Sequence, residues 1–278
     1  MFEFFKKNKK KPSAAKEKKI AEKETVETKP VETKPIDTKP PIQLAFEKNL
    51  SFLRKDTLER ETVQKLFENR GLMEVIQIGK TTFPGGEIVI ADPLVYLGND
   101  RYTDLLNRQI PVGEYPVELS ICHSPIAGVR IAAARLKVRE DESVRYEITM
   151  PKGKTIEDYN TPGVLTGFGV DAGLACFCDG IVAKEFDAFQ SKWRQEHPGG
   201  NLYDDYFAEI FAQSYEQQPQ VQREGGDFIT WKIPGTEHVF SMFASGLGDG
   251  FYTGFWGLNS ADEVCELVVP FMNPEYFI

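Results

Sequence analysis

The feature that most constrains this chain is a crowd of short runs rich in Val, Ile, Phe, Thr and Tyr between residues 74 and 269, each broken by Gly, Pro or Asp. Most gaps between the runs are too short for a crossover helix, and parallel neighbours need a connection of about a dozen residues or more. Antiparallel pairing remains. Eleven runs read as strands: 74–79, 86–91, 115–121, 129–138, 143–149, 166–171, 173–178, 227–232, 237–244, 251–257 and 263–269. Such density predicts a mainly β (α+β) fold, with antiparallel sheets packed as a sandwich or a partly closed barrel.

Two helical patterns interrupt the strands. Asp56-Thr57-Leu58-Glu59 has the form of an acidic N-cap with a glutamate three residues on, and Leu58, Val63, Leu66 and Phe67 fall near one stripe before Gly71, so a helix is predicted over 56–70. Phe186, Phe189 and Trp193, then Leu202, Phe207, Ile210, Phe211 and Tyr215, predict a helical insertion over 184–216 that caps the sheets, split at His197-Pro198-Gly199-Gly200. The β core then occupies 73–180 and 227–271 of a single globular domain, 43–278.

Residues 1–42 differ in kind. A lysine-rich stretch runs into three near-copies of a five-residue unit ending Thr-Lys-Pro, and proline at every fifth residue blocks both helix and ladder, so a disordered tether is expected. Phe2, Phe4 and Phe5 stand beside Lys6 and Lys7, which reads either as a solvated spacer or docking peptide, or as a weak peripheral contact with an anionic membrane. Residues 1–40 hold 12 lysines against 7 acidic residues, a balance of +5, so the rest must carry −14 to reach the total of −9. So acidic a body argues against nucleic acid as its partner.

No uncharged apolar run reaches the length of a spanning helix, and the N-terminus lacks the pattern of a secretory signal, so the cytoplasm is the expected location. The 4 cysteines form no CxxC pair and there are only 3 histidines, which predicts reduced thiols and no metal centre. Cys176 and Cys178, two apart, are expected on one face of a strand. No phosphate-binding glycine loop, nucleophile elbow or HExxH motif is present, so no cofactor is expected.

The residues that can carry chemistry are few. Asp92, before Pro93, closes an apolar run and suits a turn. Arg130 shares strand parity with Ala132, Ala134 and Leu136, which points it inward, either as half of an ion pair or as an anion holder at a pocket edge. From Ser245 to Gly257 five glycines stand among four aromatics. Gly248-Asp249-Gly250 predicts a hairpin turn, with Tyr252 and Trp256 on one face of the strand that follows. Asp249 reads either as a turn residue or as a carboxylate beside aromatic walls, with Asp171 and Asp179 as companions able to hold a cation or work as acid and base.

Asp92-Pro93, Gly113 with Tyr115-Pro116-Val117, Val129-Arg130-Ile131-Ala132, Val170-Asp171-Ala172-Gly173 and Gly248-Asp249-Gly250 with Tyr252 and Gly257 together resemble the bacterial family catalogued as domain of unknown function 4241, over about residues 73–271. The resemblance implies one domain and no assigned activity. It leaves Tyr115, Arg130, Asp171 and Asp249 where the family's pattern and the physical reading coincide. Two functions are compatible with these residues. One is a protein-binding module of accessory or immunity type, and the other an enzyme or small-ligand domain lined by Asp249, Asp171, Arg130, Tyr252 and Trp256.

Overall fold

All eleven predicted strands form in a computed structural model that describes residues 39–98 and 103–278. The tail, its Thr-Lys-Pro units and the expectation for Phe2, Phe4, Phe5, Lys6 and Lys7 lie outside the described residues. In chain order the elements are α1 (Pro41–Leu53), α2 (Arg60–Leu66), β1 (Met73–Phe83), β2 (Ile88–Ala91), β3 (Gly113–Ser124), β4 (Gly128–Lys137), β5 (Arg145–Ile148), β6 (Phe168–Val170), β7 (Leu174–Asp179), α3 (Gly180–Glu196), α4 (Ala208–Gln217), β8 (Phe228–Lys232), β9 (Val239–Ala244), β10 (Gly250–Tyr252), β11 (Phe255–Leu258) and β12 (Val264–Pro270).

The strands make a six-stranded sheet in the order β1-β3-β4-β12-β11-β5, a four-stranded sheet β2-β7-β9-β8, and a ribbon β10-β6, all antiparallel. No barrel closes. The inward faces of the two large sheets share one apolar core, in which Leu119, Leu136, Leu267 and Trp256 meet Phe177 and Phe243. The outer face of the four-stranded sheet packs Cys176, Cys178, Trp231 and Phe240 beneath α3 and α4. The outer face of the six-stranded sheet packs Cys122, Ala133, Phe255 and Val268 beneath α1 and α2. The result is four layers, helix on sheet on sheet on helix.

Strand β1 ties the two sheets together. It pairs with β3 along its length, with an irregularity at Gln77/Gly79. Past that point Thr81 and Thr82 receive the backbone N–H groups of Ser241 and Val239 at 3.2 and 2.9 Å, while the Thr230 hydroxyl donates to the Ile78 carbonyl at 2.7 Å. The approach requires glycine at 79: its φ is +145°, and a Cβ there would stand 2.4 Å from Thr230 Oγ1.

Four sequence expectations change. The helix predicted over 56–70 is shorter, Arg60–Leu66, with Glu59 at its N-cap and no side-chain cap bond, so Asp56 caps nothing. A helix before it, α1, was not predicted. Its proline at the first turn is a start signal, but the residues it buries are Ala45, Asn49 and Phe52, and the polar Asn49 hides the stripe. The run 251–257 divides between β10 and β11, and because β9 and β10 lie in different sheets, Gly248-Asp249-Gly250 makes a crossing rather than a hairpin. Finally, a bulge at Ala132 breaks the parity on which Arg130 was placed: Ile121 opposes Ile131, but Ser120 already opposes Ala133. Arg130 therefore pairs across from Cys122, on the strand face opposite to that of Ile131.

All 4 cysteines are buried and unpaired, and Cys176 and Cys178 share one face as alternation predicts. Burial pushes the Cys122 thiol up to about 11. Among the described residues no helix is long and apolar enough to cross a membrane.

Candidate functional site

The divided run 251–257 opens the edge of the six-stranded sheet. β11 pairs with β12 from Phe255↔Val268 onward, but the preceding β10 has left β12 and pairs only with β6, from Gly250↔Val170 to Tyr252↔Phe168. A fork opens between β10 and the end of β12. Into it α1 inserts Asn49, whose side-chain N–H donates to the Phe271 carbonyl at 3.2 Å and whose oxygen accepts from the Asn273 N–H at 2.8 Å. The amide takes the place of the missing strand partner at the end of β12.

The crossing from β9 to β10 is folded around one phenol. The Tyr252 hydroxyl lies 3.0 Å from the Ser245 carbonyl and 2.7 Å from that of Gly248, and its ring meets Phe271 edge to face at 5.1 Å. Desolvation raises the phenol to about 12. Gly246 makes the crossing tight, for at φ +67° a Cβ would meet Phe271 Cβ at 2.6 Å.

Between α1 and this crossing lies a cleft of about 370 Å³. Phe46, Leu50 and Leu53 form one wall, and Phe251 and Tyr252 the other. Arg54 and Lys55 stand at the C-terminal end of α1, and Asp249 lies across from the helix. A smaller hollow of about 190 Å³ continues past Leu53 and Lys55 toward Thr253 and Pro270, into the throat of the fork. Ile42, Phe46 and Leu50 recur at helical spacing on α1 yet are 39%, 45% and 40% exposed, and Phe251 is 46% exposed, so α1 and the facing wall carry apolar surface that no described residue covers.

The residues singled out from sequence divide accordingly. Asp249 and Tyr252 share the cleft. Trp256 is wholly buried in the core, where its indole N–H donates to Asn107 Oδ1 at 2.9 Å. Tyr115, beside Phe83, donates to the Pro111 carbonyl at 2.7 Å. Arg130 donates to the Val129 carbonyl at 2.8 Å, and burial lowers its pKa; the nearby Asp227 is already gripped by Arg223 at 2.6 and 2.9 Å. Asp171 follows Val170 as Asp249 precedes its partner Gly250, so the ribbon register sets both at one end, but the Asp171 carboxylate is taken by the Tyr96 hydroxyl. The cleft residues missed by sequence come mainly from α1 and the two residues that follow it, with Ile148, Tyr159 and Thr166 beside them.

Two buried aspartates hold turns. Asp92 accepts the N–H groups of Leu94, Asp171 and Ala172 at 3.0, 3.0 and 2.6 Å, pinning the Val170-Asp171-Ala172-Gly173 turn to the end of β2. Asp179 caps α3 through Ile181 N–H at 2.8 Å and also accepts Gly85 N–H at 2.9 Å. A second, broader depression of about 490 Å³ lies over Arg135, but its cations are already spent. Arg135 lies 4.3 Å from the centre of the Phe67 ring, bonds Glu118 at 2.5 Å and approaches Glu266 at 3.4 Å, while Arg139 holds Glu263 at 3.1 Å. Among the described residues no three His, Cys, Asp or Glu side chains gather as a metal site.

These observations define a four-layered α+β domain with a helix-walled apolar cleft at a forked sheet edge. The chain belongs to the family described as Protein of unknown function (DUF4241), whose family model matches residues 81–269, more than half of the 278. The match covers β10 and the crossing but not α1, the other wall of the cleft. No curated protein and no solved structure matches the chain.

Proposed function

We propose that the chain is a protein-binding module of accessory or immunity type, working in the cytoplasm, and that α1 and the β9–β10 crossing form its recognition surface. The observation that carries this reading is the exposed row Ile42, Phe46, Leu50 on a helix whose other face is packed, with Phe46 and Leu50 across a cleft from exposed Phe251. Single exposed apolar residues are common on any protein, whereas a contiguous set around a concavity marks an interface. The described lining is mainly apolar and aromatic and includes no histidine or cysteine, which favours binding over chemistry.

The test is a photo-crosslinking residue placed at 251 in the full chain in cells of its native host, against a control at Val112, which is 70% exposed and remote from the cleft lining. A discrete crosslinked protein at 251, absent at 112 and lost on adding Phe46→Glu, supports the reading; identical patterns at both positions refute it. A second reading, a small amphipathic ligand, rests on Asp249 lying in the same cleft as Arg54 and Lys55. Its sign would be a thermal shift by a small molecule that Asp249→Asn removes.

A further inference from the structure

We propose that what occupies the cleft is an extended, acidic segment of a partner protein, which adds a strand to the unpaired edge of β10. This rests on the reading of the cleft as a recognition surface and specifies its occupant. The first support is topological. Among the described residues β10 has a strand on one side only, because it pairs with β6 and has parted from β12. The cleft is lined by Gly250, Phe251, Tyr252 and Thr253 on one side and by α1 on the other. A groove between a helix and a sheet edge accepts an extended chain, whose backbone completes the ladder while alternate side chains enter the groove.

The second support is what the fork does with its other edge. At the end of β12 the Phe271 carbonyl and the Asn273 N–H are satisfied by Asn49. Among the described residues no equivalent side chain bonds the backbone of β10. Exposed edges are normally blunted by charge, proline or a covering element, because they template pairing. Here the covering helix stands off by the width of a cleft and presents Phe46, Leu50 and Leu53 to it. Three residues of β10 offer about 10 Å of edge, enough for one short ladder, and the hollow toward Pro270 extends the track.

The third support fixes the charge. Residues 41–278 carry −14, so an acidic segment would be repelled from most of this surface. Arg54 and Lys55 are the exception at this place: adjacent, at the end of α1, on the cleft rim, and without a carboxylate partner among the described residues. A peptide with Leu or Val at alternate positions for the groove and Glu or Asp toward the rim matches both features. A basic segment would find its carboxylates almost anywhere on the body and would gain no register from this cleft.

The test uses the full chain and fluorescently labelled peptides of about eight residues alternating Leu with Glu, read by anisotropy. Partners are the same peptides with Lys for Glu, and two versions N-methylated at alternate amides, one for each ladder register. The expected result is a Kd of about 10–100 μM for the acidic peptide, at least tenfold weaker binding of the Lys series, and at least tenfold weakening by N-methylation in one register only. The double variant Arg54→Glu, Lys55→Glu, both at exposed positions, should reverse the charge preference. If both N-methylated peptides bind like the parent while Phe46→Glu abolishes binding, strand addition is wrong and the cleft reading stands. If Phe46→Glu changes nothing, the peptide binds elsewhere and both fall. Absence of binding by every acidic peptide up to about 1 mM overturns the inference alone, leaving the cleft to the crosslinking at Phe251.

Discussion

The two helical layers of this molecule obey the same rule and end differently. On the four-stranded sheet, α3, α4 and the segment leading into α4 send Phe186, Phe211 and Phe207 into complete burial, and Phe186 meets Trp231 and Phe240 edge to face at 5.9 and 5.1 Å. On the six-stranded sheet, α1 buries a narrow face of Ala45, Asn49 and Phe52 and leaves an equally apolar row outside. One helical face is spent on stability. The other is held in reserve, and a helix that is apolar on two sides implies a second contact.

The largest expected effect breaks the closed layer. Phe186→Ala should cost about 3–5 kcal/mol, because a wholly buried ring is lost from a cluster that cannot collapse around the hole. Urea unfolding measures it. Phe46→Ala on α1 should change the free chain's stability by less than about 1 kcal/mol, since the ring is 45% exposed. Comparable losses at both positions would show that α1 is as closed as α3.

The next effect tests how α1 is fastened. Asn49→Ala strands the Phe271 carbonyl and the Asn273 N–H beneath the helix, at about 1–3 kcal/mol for each group left without a partner. Asn49→Asp keeps the acceptor for Asn273 but sets a buried carboxylate against the Phe271 carbonyl oxygen, so it should cost at least as much as alanine. Alanine being silent would mean that α1 is not anchored in the fork.

A smaller effect is read in alkali. Tyr252 holds its proton to about 12 when folded, because it is desolvated, against an ordinary value of 10.0. A folded value above the unfolded one means that its contribution is fully present below pH 10 and is lost as pH rises through 12. The unfolding free energy should drop by about 2 kcal/mol across that window from this group. Tyr252→Phe, less stable at neutral pH for want of the hydroxyl bonds, should show a shallower decline over the same range. Parallel declines would place the alkaline loss elsewhere.

The strands were legible because alternation is a local property, and every predicted run forms at least one strand. The family was legible from turn residues such as Asp92-Pro93 and Val170-Asp171-Ala172-Gly173, which the structure joins through one buried carboxylate. What sequence could not supply were non-local facts. The bulge at Ala132 inverts the parity used for Arg130, and nothing in Val129-Arg130-Ile131-Ala132 announces it, because it depends on how β3 runs alongside. The division of 251–257 follows from Gly254, where a Cβ would meet Ile90 Cδ1 at 2.6 Å, a contact 164 residues away in the chain. The cleft stayed hidden because its helix buries an asparagine, and that asparagine is buried because a strand edge 222 residues later needs a partner.

Asp249 brings the smallest effect and the sharpest distinction between the two readings of the cleft. It is exposed, and the fold asks of it only a position between two glycines, so Asp249→Asn should leave the melting temperature almost unchanged. Arg130→Ala, which breaks no ion pair among the described residues, should likewise cost little beyond the packing of its stem. In binding, the outcomes for Asp249 have opposite signs. If the cleft takes an acidic strand held by Arg54 and Lys55, Asp249 repels it, and Asp249→Asn should strengthen the acidic peptide about twofold, more at low salt than at high. If Asp249 is instead the group that grips a small ligand, the same change weakens binding, because the amide cannot replace the charge. The direction of that one shift, measured at two salt concentrations, chooses between a surface where the carboxylate is tolerated and a site where it is required.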